Sequence, residues 1–192
     1  MPKEIPTGTI IAPIPRSYLK GNDECVNQCA HLIGSIVIVW SLIEATLSQI
    51  YTNIACNPDP GEGPSPAEHW IALETFEYVQ NIKQKRSLLI YAAERRGLSK
   101  DTVSRMKDLL KQAQTLYDAK RIVSAHGRWM YAREYPDSMV YMRSAGKSEQ
   151  AKLYSMEELK ADFTELMGLA QVLSNFLEET LVPELRSKTV GQ

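Results

Sequence analysis

The chain has 192 residues, 44% of them apolar and 23% charged, a globular composition long enough to bury a core of its own. Its uninterrupted apolar runs are short, IVIVW at 36–40 having five residues; a membrane-spanning helix needs about 18 or more, so no membrane span is predicted. The net charge of −1 hides a segregation. Residues 1–82 carry three basic and nine acidic side chains, residues 83–147 fifteen and six, and residues 148–192 four and eight. A basic middle is the electrostatic footprint of phosphate binding, and it is also what exposed helix faces carry.

The first 21 residues hold four prolines (Pro2, Pro6, Pro13, Pro15) and no helical period, which predicts an extended N-terminal arm rather than a signal peptide. Its apolar piece, residues 10–14, is expected to pack on the body of the protein or on a partner subunit. The bundle domain is expected over 22–182. From Asp23 a helix should run to about Ala55, with Ile33, Ile36 or Val37, Trp40, Ile43, Leu47, Ile50 and Ile54 forming one apolar stripe.

CNPDPGEGPSP at 56–66 reads as a loop, and Ser65, Pro66 and Glu68 read as a capping box with proline at the first helical position. One long helix, or two with a bend near Asn81, should follow as far as Gly97. Ser99 should cap a further helix with the stripe Val103, Met106, Leu110, Ala113 and Tyr117, ending near Gly127. Within 128–155, MVYMR (139–143) and AKLYS (151–155) flank a turn-rich SAGKSEQ and predict a small β-hairpin. Ser155 and Glu158 form a second capping box. It opens a last helix with the stripe Leu159, Phe163, Leu166, Ala170, Leu173 and Leu177, which should stop before Pro183 and leave 183–192 as a tail. The expected class is all-α: an up-and-down bundle of four to five helices with the hairpin inserted before the last.

Three cysteines, Cys25, Cys29 and Cys56, are an odd number for a disulfide framework and point to a reducing, cytoplasmic setting. There is no phosphate-binding glycine loop, no CxxC pair, no HExxH and no GxSxG, so no metal or cofactor is expected. His31 and His69 lack partners by spacing. His126 does not: Arg121-Ile122-Val123-Ser124-Ala125-His126-Gly127 closes the helix opened at Ser99 and lies in the basic middle.

An arginine, four residues and a histidine at a helix end, followed by glycine and an aromatic, resembles the signature of the HEPN superfamily. The helix segment Trp40-Ser41-Leu42-Ile43-Glu44-Ala45-Thr46-Leu47 is similar to the tryptophan-and-glutamate helix of many members. The resemblance covers about 30–130 plus the final helix and leaves the arm and hairpin unexplained. It implies a HEPN-like bundle, dimeric, acting as a metal-independent endoribonuclease, in a toxin or defence setting with an antitoxin protein as partner. One departure is Ile122, where many ribonuclease members carry a polar residue.

Metal-free RNA cleavage needs a group to take the 2′-hydroxyl proton, one to protonate the leaving oxygen, and a cation for the phosphorane. Histidine suits the first two by its near-neutral pKa, arginine the third by its planar, permanently charged fork. Five positions along a helix turn a side chain by about 140°, so Arg121 and His126 do not share a face, and a composite site across a two-fold dimer is expected. Ser124, Lys120 and Arg128 would add polar and basic RNA contacts. Glu44, on the inward stripe with Trp40 and Leu47, needs a buried partner, and Arg121 is the candidate. Two functional classes stay open: the ribonuclease, or a non-catalytic dimerisation or RNA-binding protein of the same fold, with Glu44–Arg121 a structural pair and His126 a helix cap.

Overall fold

The computed structural model describes residues 3–4, 11–12, 24–56, 65–121, 128–132, 134–135, 138–145 and 148–190. In chain order these are β1 (Lys3–Glu4), β2 (Ile11–Ala12), α1 (Glu24–Ala55), α2 (Pro66–Tyr78), α3 (Ile82–Arg95), α4 (Lys100–Leu116), a π turn (Tyr117–Arg121), β3 (Arg128–Ala132), β4 (Ser138–Ala145), β5 (Ser148–Ser155), α5 (Met156–Asn175), a second π turn (Phe176–Leu181) and α6 (Val182–Val190). The chain is mostly helical, with a small antiparallel sheet ahead of α5. It divides into two compact units, residues 1–40 with 118–167 and residues 41–117 with 168–192.

In the first unit the expected hairpin is the centre of a wider sheet. β4 and β5 pair from Ser138↔Ser155 to Ala145↔Ser148, so only Gly146 and Lys147 separate strands expected to flank a seven-residue turn. Backbone pairing needs no apolar alternation, which is why it runs through the polar SA and SEQ segments that read as turn. β3 adds a third strand and the arm supplies both edges, in the order β1-β5-β4-β3-β2. Lys3 and Glu4 face Leu153 and Lys152; Ile11 and Ala12 face Ala132 and Tyr131. The mostly helical class with a small antiparallel element ahead of the last long helix stands, and the expected two-stranded hairpin is widened to five strands. Two-residue strands bordered by prolines leave no period to read, and they cover edge backbone groups that would otherwise pair with another chain.

Strand alternation gives this sheet two characters. Trp129, Tyr141 and Tyr154 cluster with ring centroids 5.4 to 6.0 Å apart. Val140 and Leu153, one residue out of phase, are buried with Met130, Met142, Ala151 and Tyr135 in a separate apolar cluster.

Every element described in the second unit is helical. Ser65 and Glu68 close the capping box, Ser65 Oγ accepting from the Glu68 N–H (3.3 Å) while the Glu68 carboxylate accepts from the Ser65 N–H (3.0 Å). Of the two expected alternatives for 67–96 the chain takes the broken one. α2 ends at Tyr78, and Asn81 caps α3 by accepting from the Lys83 N–H (2.8 Å). Gly97 ends α3 at φ +69°, with its N–H donating to Glu94 (3.1 Å) and the Leu98 N–H to Ala93 (3.2 Å), a Schellman motif closed by buried Leu98 and Ala93. Gly97→Ala should lower stability by about 1 kcal/mol, the cost of a left-handed side chain. A urea midpoint equal to the parent's would contradict that conformation in solution.

The stripe of α1 is buried as expected at Ile36, Trp40, Ile43, Leu47, Ile50 and Ile54, while Ile38 (64%) and Leu42 (54%) are exposed. Between Val26 and Ala55 this helix is long and apolar enough to cross a membrane by length and composition, although no unbroken apolar run signals it. Ser, Thr and Gly interrupt a run yet scarcely polarise a helix. The core helix of a soluble protein passes the same test.

Helix does not stop before Pro183. A proline deletes a backbone donor and crowds the preceding turn; here the helix widens first, the Val182 N–H reaching back to the Leu177 carbonyl, and α6 then continues to Val190. Glu184 ties the expected tail to α4, accepting from Ser99 Oγ (3.0 Å) and from Thr102 Oγ1. Burial pushes the Glu184 carboxyl up, but the Thr102 and Ser99 hydrogen bonds and Lys188 outweigh it and hold it below the ordinary value.

Candidate functional site

The helix that precedes the Arg-x4-His segment in the chain is regular from Lys100 to Leu116, because Val103, Met106, Leu110 and Ala113 bury one stripe and Ser99 caps its start. Its last five described residues, Tyr117–Arg121, loosen into a π turn. Arg121 is the final residue of that turn and its side chain lies outside the described residues, as do Ser124, His126 and the expected helix stop at Gly127. Arg128 opens β3 with an exposed side chain.

Lys120 stands on the π turn, but its ammonium is not a free cation for RNA. It donates to Asp162 on α5 in a short hydrogen bond and lies 3.7 Å from Glu165. Asp162 is 8% exposed, and a carboxylate so buried requires a cation. Burial pushes the Asp162 carboxyl up, with Glu165 and Glu158 adding to it against the pull of Lys120. Burial lowers the Lys120 ammonium, and the bonds to Asp162 and Glu165 more than reverse that. Tyr154 on β5, 6% exposed, is pushed up to about 12, by burial first and then by Asp162, Tyr141 and Glu158. Three ionisable groups from a π turn, a helix and a strand therefore form one poorly solvated cluster in the first unit.

The sequence does carry a signal for Asp162. It falls on the α5 stripe between Leu159 and Leu166, which continues as Leu169, Leu173 and Phe176. The expected stripe runs through Phe163 and Ala170 instead, since apolar periodicity alone assigns no carboxylate to a buried position.

Glu44 is in the second unit, where the cation beside it is Lys85; the side chain of Arg121, the partner expected from the sequence, lies outside the described residues. The Glu44 Oε1 lies 3.8 Å from Lys85 Nζ, which also sits 5.0 Å over the Phe76 ring. Lys85 is only 7% exposed, since it occupies the buried stripe of α3 with Ile82, Leu89 and Ala93. The Glu44 side chain is 37% exposed, so water shares its charge. Glu44→Gln should cost about 1 kcal/mol, less than for a fully buried pair. Lys85→Met, which fills the same space without a charge, should cost nothing or stabilise. Urea unfolding of both variants checks this; a Lys85→Met protein much weaker than Glu44→Gln would show that the ammonium itself holds the fold.

A cleft of about 650 Å³ in the first unit is lined by Asn27, Gln28, His31 and Leu32 of α1 and by Met156 and Lys160 of α5. It places His31 on a surface rather than in a core. Cys29 and Cys56 are buried. Among the described residues, no three His, Cys, Asp or Glu side chains converge in a way that could hold a metal ion. No protein-family model, curated protein or solved structure matches the chain.

Proposed function

We propose that the protein is a HEPN-like, metal-independent endoribonuclease that works as a two-fold dimer, with His126 as general acid and base and Arg121 on the phosphate. The observation that carries this reading is the π turn at Tyr117–Arg121. Such widened turns inside helices concentrate at functional sites, and this one ends on the arginine of the Arg-x4-His segment. The fifteen basic side chains of 83–147 support an RNA partner. Arg128, exposed and two residues after His126 in sequence, would add a phosphate contact, with Ser124 as a polar neighbour in sequence. Lys120, already paired with Asp162 and Glu165, is not among the phosphate contacts of this reading.

The chemistry is transesterification. His126 accepts the 2′-hydroxyl proton, the 2′-oxygen attacks the adjacent phosphorus, the 5′-oxygen leaves with a proton from an imidazolium, and Arg121 grips the phosphorane oxygens. A second reading, RNA binding or dimerisation without cleavage, is favoured by Ile122, an apolar residue beside the arginine. Incubating the protein with labelled RNA in EDTA separates the two. The ribonuclease leaves 2′,3′-cyclic phosphate ends and spares DNA, which has no 2′-hydroxyl. RNA retained intact on the protein supports the second reading.

A further inference from the structure

We propose that Asp162 is a positioning residue: through Lys120 it holds the π turn that ends at Arg121. Its catalytic consequence rests on the ribonuclease reading; the clamp itself does not. A π turn closes its backbone bonds over five residues rather than four and rarely extends beyond one turn, so its side-chain anchors decide how firmly it holds. Lys120 anchors this one. It is bonded to a carboxylate that is 8% exposed, with the Glu165 carboxylate 3.7 Å away as a second counter-charge.

The α5 end of the clamp is itself fixed. Ser155 caps the helix, accepting from the Glu158 N–H (3.2 Å) while the Glu158 carboxylate accepts from the Ser155 N–H (2.9 Å). Leu159 and Leu166, at 1% and 0% exposed, lock the flanking turns. Among the described residues, the charged and titratable groups facing Asp162 are Lys120 from the turn, Glu158 and Glu165 from its own helix, and Tyr154 from β5. Arg121 is the next residue after Lys120, one Cα step of about 3.8 Å away. Any shift of the anchored residue is passed to the arginine's backbone.

The experiment measures amide hydrogen exchange of the whole chain beside RNA cleavage, for the parent, Asp162→Asn and Lys120→Arg. In Asp162→Asn the amides of 117–121 should exchange roughly tenfold faster, the scale of a lost charge-assisted bond, with those of 103–113 unchanged. Lys120→Arg keeps a cation between the two carboxylates and should hold exchange in the turn at the parent rate. Cleavage by Asp162→Asn should lose about tenfold in kcat with KM held, since a misplaced arginine weakens transition-state rather than ground-state binding. Turn amides unaffected by Asp162→Asn, or loosened equally along all of α4, would overturn the clamp. Should Asp162→Asn not fold, Lys120→Met removes the same bond from the other side and is read in the same way. Faster exchange in a protein whose parent does not cleave RNA leaves the clamp standing and removes the ribonuclease reading. Cleavage by the parent with an unchanged kcat in Asp162→Asn removes the positioning role alone.

Discussion

Between pH 10 and 12 the protein should lose about 2 to 3 kcal/mol of stability through Tyr154 alone. The phenol releases its proton near 10 in the unfolded chain and at about 12 in the folded one. Within that window the folded state binds more protons than the unfolded state, so stability falls as pH rises; below it the group contributes no pH dependence. Two pKa units at about 1.4 kcal/mol each set the size. The cause is burial beside Asp162, Tyr141 and Glu158, where a tyrosinate would sit unsolvated among acidic neighbours. The acid side mixes signs. Glu184 and Glu158 titrate below their ordinary values and lose stabilisation as pH falls through their folded pKa values, whereas Asp162 titrates above its own and disfavours folding once ionised. Urea midpoints for the parent and Tyr154→Phe across pH 9 to 12 check the alkaline limb. Tyr154→Phe should flatten it, and a variant that falls as steeply as the parent would place the tyrosine in water.

The elements set by local chemistry are legible in the sequence. Ser65-Pro66 with Glu68, Ser155 with Glu158, Ser99, and Gly97 each mark a helix end because the terminal backbone groups can be satisfied only by such residues. The α1 stripe is legible for the same kind of reason, one face recurring turn after turn. What escapes a reading of the sequence depends on groups distant along it. The arm strands exist because β5 and β3 offer edges to Lys3–Glu4 and Ile11–Ala12. α6 exists because a π turn absorbs Pro183 and Glu184 reaches Ser99 and Thr102, 85 and 82 residues away.

The candidate site is legible as residue types and not as pairings. Glu44 has a cation beside it in Lys85, at 3.8 Å, and the place of Lys85 in the α3 stripe is the signal that could have found it. Lys120 reads as one basic side chain among fifteen, and nothing local reveals that Asp162 lies buried beside it. A charged residue on an apolar stripe is therefore the signal to follow in this chain, since burial obliges it to find a partner.

We propose that His126 and Arg121 cleave RNA without a metal. The most direct measurement of this is the cleavage rate of His126→Ala beside the parent, on one labelled RNA in EDTA. A general acid and base contributes about 10²-fold or more, so the variant should fall at least that far while still folding and still binding RNA in a salt-dependent way. Arg121→Lys should be impaired as well, because a point charge cannot replace the two-pronged grip on phosphate. If His126→Ala cleaves as fast as the parent, or if neither protein cleaves, the assignment of His126 as the acid and base is contradicted.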